Sequence, residues 1–197
     1  MRRFLARIDW SGGVRVFRGI KTERLLVRRF QRWDGRACLR MLSSSDVMRY
    51  IPEEPYSILD VQRLIASARR EVFPSRLAVS LRPGVTLVGA LMLAPARKQP
   101  ATRELGYIIA PGYQGRGFAT EAVTAVLDYG FRELNLERVI ACCTAENTAS
   151  IRILEKVGFQ LTETVSRTNQ KTGEKYDECK YELLPRKQGN RPYMERR

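Results

Sequence analysis

Two short clusters, Gln114-Gly115-Arg116-Gly117-Phe118-Ala119 and Asn147-Thr148-Ala149-Ser150, hold the residues best suited to chemistry. The first is a glycine-rich loop between the apolar run Tyr107-Ile108-Ile109 and a helix expected to begin near Phe118. Backbone amides at a helix start have no partner within the helix, and the macrodipole adds partial positive charge there. Glycine lets that backbone approach an anion without a Cβ in the way. A pyrophosphate would therefore be held mainly by main-chain amides. In the second cluster Asn147 heads a further helix, where its side chain can cap the amides and also face a ligand. Glu104, at the start of the strand that leads to the loop, is the candidate base, with a solvated strand-end carboxylate as the competing account.

Several chemistries are excluded by what the chain lacks. It has no histidine, which removes Ser-His-Asp and Cys-His nucleophiles and most catalytic zinc sites. Its four cysteines, Cys38, Cys142, Cys143 and Cys179, show no Cys-x-x-Cys spacing, so buried free thiols and no metal are expected. Thr120 stands where a dinucleotide fingerprint needs its third glycine, and no Gly-x-x-x-x-Gly-Lys-Ser/Thr loop is present. Taken alone, Gly115-Arg116-Gly117 could also be a turn without a ligand.

The two clusters together resemble the acetyl-CoA-binding core of the GNAT N-acetyltransferase superfamily. Gln114-x-x-Gly117-x-Ala119 matches its cofactor loop, and Asn147 with the helix ending Glu155-Lys156-Val157-Gly158-Phe159 matches its second cofactor motif. Thr22-Glu23-Arg24-Leu25, Leu105-Gly106-Tyr107, Ala119-Thr120-Glu121-Ala122 and Asn147-x-x-Ser150 look like the RimJ/RimL branch, which acetylates protein N-termini. The resemblance covers roughly residues 22–184. It implies a single α/β domain (α+β by some schemes), with a mixed, mostly antiparallel sheet flanked by helices and with splayed central strands. It also implies acetyl-CoA as cosubstrate. The backbone of Ile108, Ile109 and Ala110 would pair with the pantetheine arm. Gln114, Gly115, Arg116, Gly117, Phe118, Ala119 and Thr120 would hold the pyrophosphate, with Asn147 as a further contact. Arg116 could equally be a solvated loop arginine. Many relatives place a tyrosine where this chain has Leu154, so Ser150 is the group expected to position the leaving sulfur or relay a proton to it. A first-turn helix serine is its bland alternative. The acceptor expected from the branch is a protein N-terminal amine of ribosomal-protein type. A polyamine or aminoglycoside is the alternative, and a non-catalytic CoA-binding or RNA-associated basic module is the competing class.

The elements that must position these groups follow from periodicity and punctuation. Strands are expected at 22–28, 77–81, 86–93, 104–110 and 138–144, with a polar loop from Pro95 to Thr102. Asp34 could cap a helix carrying Ala37, Cys38, Met41 and Leu42. Ser57 and Asp60 form a capping box for a helix with Val61, Leu64, Ile65, Ala68 and Val72 on one face. The glycine loop feeds a helix with the core stripe Ala122, Val123, Val126 and Leu127. A helix over 148–157 is closed by Gly158, and a final hairpin turns around Lys171-Thr172-Gly173. Residues 1–21 read as an extension with a hairpin at Ser11-Gly12-Gly13, and 185–197 as a basic flexible tail.

The 197 residues carry a net charge of +14. Residues 1–20 hold five arginines against one aspartate and residues 185–197 five lysines or arginines against one glutamate, so the ends supply +8 of it. Charge gathered in short ends reads as solvated tails more readily than as a nucleic-acid face, although ribosome proximity remains open. No apolar run approaches the ~18 residues of a membrane span, and Arg7 and Asp9 interrupt any signal-peptide core. A cytoplasmic monomer or homodimer is expected.

Overall fold

The computed structural model describes residues 17–51, 54–71, 73–97, 99–169 and 173–185. An eight-stranded sheet runs in the order β1-β2-β3-β4-β5-β6-β8-β7. Its strands are β1 (Ile20–Lys21), β2 (Leu25–Arg28), β3 (Arg76–Leu81), β4 (Leu87–Ala96), β5 (Gln99–Ile109), β6 (Arg138–Thr144), β7 (Gln160–Thr168) and β8 (Lys175–Leu183). All neighbours are antiparallel except β5 and β6, which are parallel.

Five helices cover the two faces. On one side lie α1 (Gly35–Leu42), the one-turn α2 (Ser45–Met48) and α3 (Ile58–Arg70). Their apolar stripes, including Cys38, Met41, Val61 and Ile65, pack with Phe30, Ala78 and Leu87. The capping box at the head of α3 forms as expected, with the Asp60 amide donating to Ser57 Oγ and the Ser57 amide to Asp60 Oδ2. On the other side lie α4 (Phe118–Glu133) and α5 (Thr148–Val157). The unbroken buried run Glu121–Leu127 lets α4 sit deep against Leu93, Leu105 and Val139. α5 starts at the Asn147 cap and stops at Gly158, whose φ of 103° is one that glycine adopts without strain.

The pairing of β5 with β6 is short. It runs from Thr102↔Arg138 to Leu105↔Ala141 and then ends. β5 continues to Ile109 on β4 alone, and β6 continues to Thr144 on β8 alone. The sheet therefore opens into a wedge between Gly106–Ile109 and Cys142–Thr144. This is the expected splay, with the helices flanking a mixed and mostly antiparallel sheet.

Some expectations are corrected. The polar stretch Pro95 to Thr102 is not a loop: Pro95 pairs with Arg103 and Ala96 with Gln99, so strands β4 and β5 run almost to the turn. Its side chains are polar because this end of the hairpin is partly solvent-facing. Thr22 to Arg24 form a turn ahead of β2 instead of its first residues: the Thr22 amide donates to the Leu25 carbonyl and the Leu25 amide to Thr22 Oγ1. Phe17 and Ile20, ahead of residue 22, are buried in the core. Asp34 occupies the cap position of α1 without capping it. Its buried carboxylate instead receives both arms of Arg28, at 2.7 and 2.9 Å, and the Gln31 amide. The hairpin near Ser11, together with Glu53, Val72, Lys171, Thr172 and the tail beyond Pro185, lies outside the described residues.

The Arg28–Asp34 pair is nearly dry on both sides. Removing one partner strands a buried charge, which costs about 3–5 kcal/mol. Arg28→Met should therefore lower the urea midpoint sharply without changing the slope of the transition, a result read directly from chemical denaturation.

Candidate active site

A cavity of about 690 Å³ occupies the wedge. It passes through the sheet, so its two halves have different walls. On the α4–α5 side it is lined by the glycine loop and by the first turn of α5; on the α1–α3 side by Phe30, Asp46, Val47, Tyr50 and Arg76 among others.

The glycine loop is built for amide exposure. Gly115 and Gly117 both hold positive φ, 73° and 78°, and Gly117 is the cap of α4. These turns direct the amides at the head of α4 outward. Among the described residues, none accepts a hydrogen bond from the amides of Gly115 to Thr120. Gln114 anchors the loop to β5 by donating from Nε2 to the Ile109 carbonyl at 3.0 Å. Gln114, Gly115, Gly117, Phe118, Ala119 and Thr120 all line the cavity. Arg116 is exposed, with its guanidinium 5.7 Å from the Tyr113 ring centre.

Along β5 the expected trio divides. The Ala110 amide donates to Val88 across the β4 ladder at 2.9 Å. Alternation in an antiparallel pair then turns the backbone of Ile108 toward β4 too, and those of Tyr107 and Ile109 toward the wedge. Ile109 is thus the member of the trio whose amide faces the gap. Ile108 lines the cavity through its side chain, which packs with the α1–α3 cluster.

On the opposite wall, Asn147 Oδ1 accepts the Ser150 amide at 3.1 Å, so Asn147 is a helix cap at the cavity edge. Ser150 is held from its other side as well: the Tyr107 hydroxyl donates to its carbonyl at 3.1 Å. That bond crosses the wedge, two residues past the last β5–β6 pair. Burial pushes the Tyr107 phenol up to about 12, against the opposing hydrogen bond, so it remains a donor at neutral pH. Leu154 is buried and also lines the cavity.

Glu104 sits on the next-to-last β5–β6 pair, opposite Ile140, at the fork of the wedge. It shares a sheet face with Ile108, so its side chain belongs to the α1–α3 half, whereas Ser150 belongs to the α4–α5 half. Cys142 and Cys143 line the gap between the two. Cys38 and Cys179 are buried as expected, but Cys142 is exposed and Cys143 half-buried; partial desolvation, reinforced at Cys142 by Glu178 and Glu104, still raises both of the latter thiols to about 11. They stay protonated and poorly nucleophilic at neutral pH.

One polar cluster escaped the reading of the sequence. Glu121, in the first turn of α4, is buried and accepts from Thr22 Oγ1 (2.5 Å), the Arg24 amide (2.9 Å) and Arg24 Nε (2.7 Å). Burial alone would raise its pKa, but these bonds outweigh it and hold the carboxyl below its ordinary value. Thr22-Glu23-Arg24 and Ala119-Thr120-Glu121-Ala122 are thus one contact about a hundred residues apart. An acid inside the first turn of an otherwise apolar helix was the available signal, since such a group needs a cation. Tyr107, Asp46, Tyr50 and Arg76 left no comparable signal.

Residues 24–160 match the acetyltransferase (GNAT) domain family. The chain belongs to the GNAT acetyltransferases. This acyltransferase is 36% identical over 168 residues to the uncharacterised N-acetyltransferase YnaD of Bacillus subtilis, covering 84% of this chain and 96% of that one. A GNAT-family acetyltransferase structure from Bacillus anthracis superposes with a TM-score of 0.76 at 35% identity, over 84% of this chain and 98% of its own. A spermidine N-acetyltransferase from Vibrio cholerae, in complex with CoA and spermine, superposes at 0.73 with 26% identity, over 83% and 96%. GNAT enzymes use acetyl-CoA as cosubstrate, and the unpartnered amides of the glycine loop fit its pyrophosphate. Among the described residues no helix is long and apolar enough to cross a membrane, and no cluster of His, Cys, Asp or Glu is arranged for a metal.

The depressed Glu121 carboxyl makes a signed prediction. Its contribution to stability is present above its unfolded pKa of about 4.3 and is lost as pH falls through the lower folded value. Glu121→Gln should cost about 1–3 kcal/mol at pH 7, as expected for hydrogen bonds to a charged group. In thermal melts the gap between the two proteins should begin to narrow as pH falls below the unfolded value of about 4.3 and should vanish only below the lower folded one.

Proposed function

We propose that the protein transfers the acetyl group of acetyl-CoA directly to a primary amine that enters from the α1–α3 face. The observation that carries this reading is the two-sided wedge: outward amides and Asn147 on one side, a carboxylate and a separate pocket on the other. Acetyl-CoA brings an already activated thioester, so the protein's tasks are orientation, polarisation and proton handling. The amides of Gly115 to Thr120 and the Gln114 anchor bind the pyrophosphate, with Asn147 contacting the cofactor from the facing helix. The Ile109 amide, directed into the wedge, orients the pantetheine arm as an added strand. Glu104 takes the proton of the incoming amine, directly or through water. Ser150 positions the departing sulfur from the opposite wall. The protonated state of Cys142 and Cys143 supports direct transfer over an acetyl-cysteine relay.

For the acceptor, the pocket supports a small amine. Its α1–α3 half joins apolar walls of Phe30, Leu42, Val47 and Ile51 to the carboxylates of Asp46 and Glu104, with Arg76 as the opposing charge. Apolar walls beside two carboxylates suit a cationic amine, and the likeness to a spermidine acetyltransferase supports that reading. The N-terminal amine of a protein is the second reading, supported by the RimJ/RimL-like motifs Leu105-Gly106-Tyr107 and Asn147-x-x-Ser150. In either case a cytoplasmic setting fits the use of acetyl-CoA.

Calorimetry should find acetyl-CoA binding and no NAD binding; the reverse would overturn the assignment. A panel of polyamines, aminoglycosides and peptides with free N-termini then separates the two acceptors by turnover. With the best acceptor, Glu104→Gln should lower kcat by roughly 10²–10⁴ and alter the acidic limb of the pH–rate profile while acetyl-CoA affinity is kept. Full activity in that variant would remove the base from β5.

A further inference from the structure

The glycine loop has few tethers of its own. Gly115 has no atom within 4 Å of where a Cβ would stand, and both glycines hold a left-handed conformation. Among the described residues, the one side chain bonded to the backbone between Gly115 and Gly117 is Arg24, whose Nη1 donates to the Arg116 carbonyl at 3.0 Å. The same guanidinium donates from Nε to Glu121 at 2.7 Å and lies 4.7 Å from the centre of the Phe118 ring. Its Nη2 is 3.4 Å from the place of a Gly117 Cβ. Glu121 in turn is gripped by Thr22 and by the Arg24 amide. One planar cation thus spans the loop, the helix cap and the first turn of α4, backed by a buried carboxylate.

We infer that Arg24 is the positioning residue that holds the glycine loop in its anion-binding shape, so that the pyrophosphate part of the cofactor depends on it and the acyl-pantetheine part does not. The physical basis is the fork geometry of arginine. Two of its nitrogens are held in one rigid plane on an acceptor in the loop and on one in the helix, a fixed geometry that the single nitrogen of an ammonium does not supply. Fixing the Arg116 carbonyl on the protein side leaves the following amides directed away from it, toward the cavity. The half-exposed guanidinium beside the loop also adds positive charge near it. This inference rests on the acetyl-CoA reading above.

The test uses the full chain and two donors. Acetyl-CoA carries the pyrophosphate and S-acetylpantetheine does not. The affinity of the first is read by calorimetry, and that of the second by its competition against bound acetyl-CoA. Arg24→Gln is expected to weaken acetyl-CoA by about tenfold while S-acetylpantetheine stays within about twofold. Arg24→Lys, which keeps the charge but lacks the rigid fork, is expected to recover part of the loss. Unchanged acetyl-CoA affinity in Arg24→Gln, equal weakening of both donors, or full recovery by lysine would each overturn the inference. Circular dichroism melts of both variants identify a folding defect, which would appear as the equal-weakening outcome. Failure of the unsubstituted protein to bind acetyl-CoA would remove the functional reading itself, and this inference with it.

Discussion

The early end of the β5–β6 ladder is the constraint on which the site depends. Four residue pairs join these parallel strands, and past Leu105 and Ala141 each strand keeps one neighbour instead of two. Backbone groups that a continuous sheet would consume are released into the gap. Unpaired amides and carbonyls away from bulk water are costly, so the wedge has a standing demand for hydrogen-bonding partners. On the reading proposed above, an extended, amide-bearing arm would satisfy that demand as a strand does. The opening also gives one cavity access from both faces of the sheet, which lets two reactants meet without sharing an entrance.

An open wedge must be kept from collapsing, and the structure does this with polar contacts at its rim. Tyr107 reaches across to the carbonyl of Ser150, Gln114 ties the loop back to Ile109, and the Glu121 cluster secures the head of α4. The apolar core beneath, where α4 packs on Leu93, Leu105 and Val139, sets where the helices lie. It cannot set the direction of individual peptide groups, because hydrophobic packing is not directional. Directional polar contacts at the loop are Gln114 on the Ile109 carbonyl and Arg24, tied to Glu121, on the Arg116 carbonyl.

How much of this was legible in the sequence differs by the range of the interaction. β6 and α5 were read to the residue, because Asn147 and Gly158 punctuate them locally and apolar spacing fills the rest. The conformation of the glycine loop was legible for the same reason, because glycine spacing reports the left-handed turns at Gly115 and Gly117. The hairpin of β7 and β8 was visible as two strands, but nothing local shows that β8 inserts beside β6 and leaves β7 at the edge. Asp34 looked like a cap because its neighbours suit one, yet Arg28 was close enough to claim the carboxylate. A buried cation–carboxylate pair outweighs a cap bond, and the choice depends on tertiary placement. The free and engaged amides of β5 likewise depend on ladder phase, which sequence alternation does not report.

The acceptor half was the least legible, and the reason is structural. Acetyl-CoA presents a fixed diphosphate and amide-bearing arm, so on the reading proposed above main-chain atoms at motif positions would bind it. The amine side has no such fixed partner. Its walls come from α1, α2, α3, β3 and β4, elements whose apolar residues are explained by core packing whether or not a substrate lies against them. Asp46, on a four-residue helix, and Arg76, at the start of β3, look like ordinary surface charges until the fold brings them to one cavity with Glu104. On the reading proposed above, Asp46 and Arg76 would help to choose the amine, and as exposed residues on separate elements they can change without disturbing the core. On the same reading, a fold arranged in this way could keep its donor side while its acceptor varies, since the glycine loop and Asn147 lie on one face of the sheet and Asp46 and Arg76 on the other.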